Sequence, residues 1–502
     1  MMSEEEEAIQ NISSSTTIFL DQPPSCLEFC PADPDYFVVG TYLLSEERKT
    51  KKKEQKQKQK QDDGDDNEND GEEEGDENEN DEAAVSQRKT GSLQLWKLDV
   101  GSDQLTQKQV ISLPHAVFDL HFHPREHTLL AIATSAASVS LYRVARPEAP
   151  ASNSDSDFPQ IQHIWTIQVH EDPTTPALFL AWAPEGWVPF GKNADGFAVT
   201  FADGRTSVFA AQRGDSDELV KAKLIESQFL PRETIEAWFV ALATFPQPAS
   251  AAAAGDGTST ADAPPKAISI PFLFTGNDFG SLHTRRFAPV DEEDKDPSGG
   301  DLDLNNYQIL NFDDKAHHHT AGVTSILPLP ISLIEDAPLL LTGSYDEYIR
   351  VYHAIPRTKG RVLAERRLGG GVWRLQSIDT EEDDDEGIAS HKVTRFVILA
   401  SCMHAGTRIV RVTRRRRTRK SSSDNTTGAT LIEDDEVGEW DIQILAKFTE
   451  HQSMNYASDF WKGKTYGCGR GGQKQGQENK RELVCVSSSF YDRRLCLWRV
   501  DI

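Results

Sequence analysis

The chain has 502 residues and a formal net charge of −27, from 53 Lys and Arg residues against 80 Asp and Glu residues. Residues 62–82 hold 14 of the acids and no base, so the charge is concentrated in one segment. A protein that binds duplex nucleic acid needs a basic face. We therefore do not expect direct nucleic-acid binding.

Cysteines and apolar runs narrow the class of protein further. Six cysteines in a chain of this length are too few for a disulfide scaffold. The N-terminal Met-Met-Ser and four glutamates do not form a targeting peptide, and no run of 18 or more apolar residues is present. The prediction is a reduced cytoplasmic protein, with a nuclear location as an alternative, and no membrane partner.

Low-complexity segments come first in chain order. Residues 1–15 are predicted to be a disordered tail. Residues 45–90, first basic and then acidic, are predicted to be a disordered insert, because dense blocks of like charge repel each other and bury no core. Further polar segments are expected to be loops, at about 146–160, 212–233, 246–268, 287–312, 377–392, 412–440 and 462–480.

The remaining sequence repeats one pattern seven times: an apolar strand, a turn of small residues, and a second alternating strand. The copies start at Phe37, Leu129, Phe197, Phe272, Leu339, Phe396 and Leu483. Repeats of about 44 residues match the WD repeat, in which each repeat forms one four-stranded blade. The prediction is a single all-β domain over 16–502, a seven-bladed WD-repeat β-propeller. Residues 16–20 are expected to close the ring by completing the last blade.

Two repeats carry the hydrogen-bonded tetrad that is typical of WD blades. Its His, Ser/Thr, Asp and aromatic positions are predicted at His319, Thr342, Asp346 and Tyr352 in the fifth repeat, and at His451, Ser488, Asp492 and Trp498 in the last. Each aspartate is expected to accept a hydrogen bond from its histidine and so order the loop before the first strand.

Loops of a propeller that open on one face should bring polar and aromatic side chains together around one mouth. The residues expected there are Tyr345, Trp373, His404, His451, Ser453, Tyr456 and Tyr491. Such a convergence is the default hypothesis for a binding site. The serine-hydrolase elbow, the P-loop and the zinc-protease motif are all missing from the sequence, and no metal or cofactor is predicted.

Motifs in the C-terminal third resemble a known family. They are Thr-Gly-Ser-Tyr-Asp-Glu (342–347), Gly-Gly-Val-Trp-Arg-Leu (370–375), Cys-Met-His-x-Gly (402–406), Tyr-x-x-Asp-x-Trp (456–461) and Ser-Phe-Tyr-Asp (489–492). Together they resemble diphthine methyl ester hydrolase, the WD-repeat family of diphthamide biosynthesis. The chain departs from that pattern at Phe460, which separates an aspartate from the following tryptophan.

The resemblance implies a reaction, a substrate and a partner. The chain would hydrolyse the methyl ester of methylated diphthine on a histidine of translation elongation factor 2. Separately, a closed ring of blades leaves no obvious need for a partner subunit, so a monomer is expected. The alternative is a non-catalytic WD-repeat adaptor, because the fold alone does not define a function.

Ester hydrolysis requires a base, a nucleophile and donors to the developing oxyanion. His404 and His451 are the candidate bases, because imidazole titrates near neutral pH. Ser453 or water is the candidate nucleophile, with Cys402 as an alternative that strand placement predicts to be buried. Aromatic faces bind quaternary ammonium groups, so the trimethylammonium of diphthine is expected to contact the rings of Trp373, Tyr456, Tyr491 and Tyr345. His404 has an alternative role as a residue that pins a turn.

Overall fold

The computed structural model describes residues 9–48, 85–147, 158–188, 194–212, 224–246, 269–289, 303–314, 318–356, 359–385, 391–417, 436–463 and 481–502. Their regular structure is nearly all β-strand, with one short 3₁₀ turn at Leu304–Tyr307. Among these residues no helix is long and apolar enough to cross a bilayer.

The strands of the first half of the chain are β1 (Gln10–Ile12), β2 (Ser14–Phe19), β3 (Pro24–Phe29), β4 (Tyr36–Thr41), β5 (Leu43–Arg48), β6 (Val85–Asp99), β7 (Gln104–Leu113), β8 (Val117–Phe122), β9 (Leu129–Thr134), β10 (Ser138–Ala145), β11 (Gln160–Gln168), β12 (Ala177–Trp182), β13 (Ala194–Phe201), β14 (Thr206–Gln212) and β15 (Ile225–Phe229). Those of the second half are β16 (Ala237–Pro246), β17 (Ser269–Asn277), β18 (Leu282–Phe287), β19 (Gln308–Asp314), β20 (Val323–Pro328), β21 (Leu339–Ser344), β22 (Tyr348–His353), β23 (Arg361–Arg367), β24 (Arg374–Asp385), β25 (His391–Ser401), β26 (Thr407–Arg417), β27 (Glu439–Phe448), β28 (Ala457–Phe460), β29 (Glu482–Ser489) and β30 (Arg494–Asp501).

These strands form seven antiparallel sheets arranged in a ring, which confirms the predicted seven-bladed β-propeller. Blade 1 contains β3 to β7, blade 2 β8 to β11, blade 3 β12 to β15, and blade 4 β16 to β19. Blade 5 contains β20 to β23, blade 6 β24 to β27, and blade 7 β28 to β30 with β2. The first strand of each blade lies innermost, around the central channel.

Burial between blades explains why these sequences form stacked sheets. Every residue of β9 and of β13 is buried, because each of these strands is covered on both faces. Leu141 of blade 2 packs in the same cluster as Leu180 and Phe197 of blade 3. Burying each such side chain stabilises the fold by about 1.5–3 kcal/mol, so continuous apolar strands favour a closed ring.

Both ends of the chain close the ring. β2 pairs antiparallel with β30, which confirms that the N-terminal segment completes the last blade. β1 pairs in parallel with β27 of blade 6. Strand structure therefore begins at Gln10 and not at residue 16, which corrects the predicted boundary of the N-terminal tail. Residues 1–8 lie outside the described residues.

The charged insert leaves the ring from a two-stranded ribbon. β5 pairs with the first part of β6, so residues 45–48 and 85–90 belong to strands. The predicted disordered insert of 45–90 is therefore too long at both ends, by residues 45–48 and 85–90. The prediction of disorder for residues 49–84 falls outside the described residues.

The tetrad of blade 7 uses a different serine from the one predicted. His451 Nε2 and Trp498 Nε1 both lie within hydrogen-bond distance of Ser487 Oγ, at 2.9 and 3.0 Å. Ser488 was the predicted member. Successive side chains of a strand point to opposite faces, so only one of two adjacent serines faces the histidine. The turn after β29 is also one residue longer than its counterpart in blade 5.

The aspartate of each tetrad binds the loop backbone and not the histidine, which corrects the predicted contact. Asp346 Oδ2 accepts a hydrogen bond from the Thr320 N–H at 3.0 Å, whereas His319 Nδ1 lies 4.0 Å away. Arg350 Nη1 donates to His319 Nδ1 at 2.8 Å and lies 2.9 Å from Asp346. The aspartate therefore anchors the loop before the inner strand directly, through its backbone.

Candidate functional site

A cavity of about 550 Å³ lies at the mouth of the central channel. All seven blades contribute to its lining, which consists of Pro23, Ser25, Tyr42, Leu43, Leu44, Phe118, Leu178, Trp238, Tyr345, Trp373, Tyr456, Phe490, Tyr491 and Arg493. The four residues predicted to bind substrate, Tyr345, Trp373, Tyr456 and Tyr491, are all among them.

A β-bulge recurs near the start of the inner strands and directs side chains to this mouth. In blades 1 to 5 the register with the second strand shifts at the second residue of the inner strand, namely Ser25, Phe118, Leu178, Trp238 and Thr324. A bulged residue is left out of the ladder and its side chain is reoriented. Trp373 and Tyr456 directly precede the inner strands of blades 6 and 7. These inner-strand positions therefore present a side chain at the mouth from every blade except blade 5, which contributes Tyr345 from the turn after β21.

The aromatic rings contact one another in a continuous wall. The Trp373 ring centroid lies 5.1 Å from Tyr456, 5.7 Å from Trp238 and 5.9 Å from Tyr345. Tyr456 in turn lies 5.5 Å from Phe490. The wall continues through Tyr42, which lies 5.9 Å from Phe490 and 5.4 Å from Phe118. These separations are typical of paired aromatic rings, so the rings hold each other in place.

Two of the C-terminal motifs pack on each other and position this wall. A β-carbon at Gly370 would lie only 2.3 Å from the Cys402 carbonyl oxygen. The backbone before Trp373 therefore lies so close to the 402–406 turn that only glycine, which has no side chain, fits there. On its other side, the same turn accepts a hydrogen bond from the Asn455 N–H through the Met403 carbonyl at 3.0 Å. The turn therefore fixes the segments that carry Trp373 and Tyr456.

Two carboxylates, Asp278 and Glu236, act on residues of the cavity wall from outside its lining. Asp278 Oδ1 accepts a hydrogen bond from Trp238 Nε1 at 2.7 Å. Burial, with a contribution from the Asp278 carboxylate, raises the pKa of Tyr345 well above its ordinary value, and Glu236 acts in the same direction. Burial also raises the pKa of Tyr456. Both phenols therefore stay neutral at physiological pH, and the nearby carboxylates favour a cationic ligand.

Basic groups lie below and beside the aromatic wall. The Arg374 guanidinium stacks 4.6 Å from the Trp373 ring and donates through Nη1 to the Trp373 carbonyl at 2.9 Å. This stacking supports the orientation of the tryptophan. Arg493 is exposed at the rim and donates to the Asp21 carbonyl at 2.8 Å.

The candidate catalytic residues do not line the cavity. His404 is exposed at the tip of the 402–406 turn. His451 is buried in the tetrad of blade 7, and burial lowers its pKa to about 4. Cys402 is fully buried, as expected, and burial raises the pKa of its thiol to about 12. The catalytic roles of His404 and His451 stay predictions, and the placement of His451 gives that residue a structural role.

Ser453 organises the loop that carries two rings of the wall. Its Oγ accepts a hydrogen bond from the Tyr491 N–H at 2.9 Å and donates to Asp492 Oδ1 at 2.9 Å. Ser489 Oγ lies 2.8 Å away. This network positions Tyr491 beside the cavity, while a nucleophilic role for Ser453 stays a prediction.

Sequence reasoning missed four aromatic residues of the cavity, Tyr42, Phe118, Trp238 and Phe490. Trp238 and Phe118 lie in blades that lack the full tetrad and so gave little signal. Their common feature is the second position of the inner strand, where a large aromatic residue interrupts the alternation. That register position would have identified both of them.

The fold and the mouth define a seven-bladed WD-repeat β-propeller with a cavity lined mainly by aromatic rings. Two similar curated proteins are both named diphthine methyltransferase. One, from Schizosaccharomyces pombe, is 28% identical over 181 residues, which are 36% of this chain and 38% of that protein. The other, from Homo sapiens, is 34% identical over 92 residues, 18% of this chain and 16% of that protein.

These relatives agree with the resemblance drawn from the motifs, although their names specify a methyltransferase and not an ester hydrolase. The chain spans less than two fifths of the length of the relatives it matches. No protein-family model matches the chain. Among solved structures, Sqt1 from Chaetomium thermophilum is similar, with 13% identity, a TM-score of 0.44 and coverage of 99% of this chain and 100% of that one.

Proposed function

We propose that this protein acts in diphthamide biosynthesis, where it hydrolyses the methyl ester of methylated diphthine on translation elongation factor 2. The observation that carries the proposal is the aromatic cavity, because diphthine presents a trimethylammonium group. The names of the curated relatives support the same pathway.

Cation–π attraction supports the binding part of the proposal. A quaternary ammonium has no hydrogen-bond donor, so it is recognised by aromatic faces and by nearby negative charge. Trp373, Trp238, Tyr345 and Tyr456 supply the faces. Asp278, hydrogen-bonded to Trp238, supplies the charge.

In the proposed reaction, water adds to the ester carbonyl while a base takes one of its protons. The bond from the carbonyl carbon to the methoxy oxygen then breaks, and the methoxy group takes up that proton and leaves as methanol. The acid that remains releases its own proton to solvent and becomes the carboxylate. We favour water as the nucleophile because Ser453 is engaged within its own loop and the Cys402 thiol is buried. His404 is retained as the candidate base because its imidazole is exposed on the turn that supports Trp373.

The test uses the full chain with elongation factor 2 that carries methylated diphthine, in oxygen-18 water, and follows the mass of the modified peptide. We expect loss of one methyl group and incorporation of one oxygen-18 atom into the carboxylate. Binding without a mass change would support the adaptor function instead. A methyl group gained only with S-adenosylmethionine would support methyl transfer, and either result would overturn the hydrolase proposal.

A further inference from the structure

Tyr345 presents an unused hydrogen-bond donor to the cavity. Its side chain lines the mouth, and its hydroxyl group makes no hydrogen bond within the residue ranges that the structure describes. The residue is only half-buried, so the hydroxyl is open to the cavity and is not enclosed in the packed wall. A phenol O–H can donate one hydrogen bond, and here that bond is left for a ligand.

The ring of Tyr345 is held between two glycines. A β-carbon at Gly322 would lie 2.9 Å from Tyr345 Cδ2, and one at Gly371 would lie 3.4 Å from Cδ1. The Tyr345 N–H also donates to the Gly322 carbonyl at 3.0 Å. Because backbone lies close to both edges of the ring, the hydroxyl has a fixed direction before any ligand binds. Fixed donors are the kind that stabilise charge in a transition state.

The groups around the hydroxyl keep its proton in place. Burial is the main reason why the pKa of Tyr345 is raised. Asp278 and Glu236 raise this pKa further, whereas Arg374 lowers it. Asp278 accepts its hydrogen bond from Trp238 Nε1 and not from the phenol. Tyr345 is therefore a neutral donor at physiological pH.

Tyr345 lies next to the two indoles that are proposed to bind the trimethylammonium group. Its ring centroid lies 5.9 Å from that of Trp373 and 6.2 Å from that of Trp238. The two indoles lie 5.7 Å apart. The three rings form a nearly equilateral triangle, so a cation in contact with both indoles also lies beside Tyr345.

The chemistry of the substrate connects this position to the ester. In methylated diphthine, the quaternary nitrogen and the ester carbonyl are attached to the same carbon atom. The carbonyl oxygen therefore stays close to the cation and comes within reach of a hydroxyl on the neighbouring ring. When water adds to the carbonyl, this oxygen becomes negatively charged, and a preorganised O–H donor stabilises that charge.

We propose that the Tyr345 hydroxyl donates a hydrogen bond to the ester carbonyl oxygen of methylated diphthine and stabilises the oxyanion that forms during hydrolysis. Tyr345 is then a catalytic residue, with its ring against the cation and its hydroxyl on the ester. It keeps its own proton throughout, so the proton that methanol takes up still comes from the attacking water. This role depends on the proposed hydrolysis.

The test compares the full chain with Tyr345→Phe, using elongation factor 2 that carries methylated diphthine as the substrate. The substitution keeps the ring and removes one O–H. We expect kcat to fall about 100- to 1,000-fold, as is usual when one oxyanion donor is lost. Titration calorimetry with a trimethylammonium peptide should give the wild-type affinity, because the aromatic face is retained. Tyr348→Phe is the matched control in the same blade, outside the cavity lining, and should keep the wild-type kcat.

A wild-type kcat in Tyr345→Phe would overturn the role of the hydroxyl and leave the proposed hydrolysis standing. An equal loss in Tyr348→Phe would also contradict that role, since it would identify a general effect on blade 5. A fall in peptide affinity as large as the fall in kcat/KM would show that the hydroxyl acts in binding and not on the oxyanion. Absence of ester hydrolysis by the wild type would overturn the proposed function, and the role of Tyr345 with it.

Discussion

The rings of Trp238 and Trp373 lie 5.7 Å apart, although they belong to blades 4 and 6. Blade 5 lies between them and has the small Thr324 at the equivalent bulge, with its hydroxyl bonded to the Val372 carbonyl. Because this threonine is buried and does not project into the mouth, the two indoles meet across it. The contact forms one end of the aromatic wall, beside Asp278.

The first prediction concerns Trp373. Replacing it with alanine removes the ring that contacts three others, so we expect the affinity for a trimethylammonium peptide to fall about 10- to 30-fold, equivalent to about 1.4–2 kcal/mol for a desolvated cation–π contact. Trp373→Phe keeps an aromatic face and should lose less affinity for the peptide than Trp373→Ala. Titration calorimetry measures the affinity. Trp440→Ala, at the outer edge of blade 6, is the control, and an equal loss in that variant would contradict a specific role for Trp373.

The second prediction separates charge from shape. Asp278→Asn keeps an oxygen that accepts from Trp238 Nε1 but removes the negative charge. We expect a loss of roughly three- to tenfold in affinity for the cationic peptide at low salt, shrinking at high salt because solvent ions screen the charge. A peptide with a neutral tert-butyl group in place of the trimethylammonium should bind the wild type and Asp278→Asn with equal affinity. Equal losses for the two peptides would show that Asp278 acts through packing alone.

The third prediction tests the packing of the 370–373 segment on the 402–406 turn. Gly370→Ala places a β-carbon 2.3 Å from the Cys402 carbonyl oxygen, a backbone atom that already accepts a hydrogen bond from the Ala405 N–H at 2.8 Å. We expect about 1–3 kcal/mol of destabilisation together with weaker binding of the cation, because Trp373 shifts. Urea denaturation and calorimetry measure the two effects. Gly101→Ala is the control, because the closest atom to the added carbon is 3.5 Å away, and it should change neither the stability nor the affinity for the cation. A destabilised variant with full affinity would contradict the link between the turn and the cavity.

The fourth prediction concerns pH. The ordinary pKa of a histidine is 6.5, but burial, the largest influence, lowers the pKa of His451 to about 4 in the folded protein. Between these two pH values the imidazole of the unfolded chain is protonated and that of the folded chain is not. Protonation therefore favours the unfolded state, and the protein loses stability as pH falls from about 6.5 towards 4. Between pH 7 and pH 5 the loss should be about 2 kcal/mol.

His451→Gln removes this titration, so its stability should fall less steeply over the same pH range than that of the wild type. Urea denaturation at both pH values gives the comparison. The exposed His127→Gln is the matched control and should keep the wild-type slope. If His451→Gln keeps that slope too, the histidine does not titrate as its burial implies.

The fold was predictable because each blade repeats the same local pattern, and local alternation decides which strands stack. The detail of the tetrad was less predictable. Ser487 and Ser488 are adjacent and chemically identical, and only the register of β29 decides which one faces His451. The start of the N-terminal strands was missed as well, because Gln10–Ile12 has no apolar alternation and gains its partners only when β27 is in place.

The site was predictable where motifs mark it. Tyr345, Trp373 and Tyr456 lie in distinctive segments and meet in the cavity. Trp238 could not be found by motif, because its blade has lost the tetrad and its side chain reaches the mouth through a bulge that depends on pairing with β17. The roles of His404, His451 and Ser453 depend on the orientation of turns, which composition and spacing do not determine.

A structure of the full chain with a peptide that carries methylated diphthine would show most directly whether this cavity binds the substrate. We expect the quaternary nitrogen within about 6 Å of the ring centroids of Trp238 and Trp373, the range of cation–π contacts, with the ester directed towards the open mouth. A peptide bound on the opposite face, or with its trimethylammonium group in solvent, would contradict the assignment of this cavity as the substrate site.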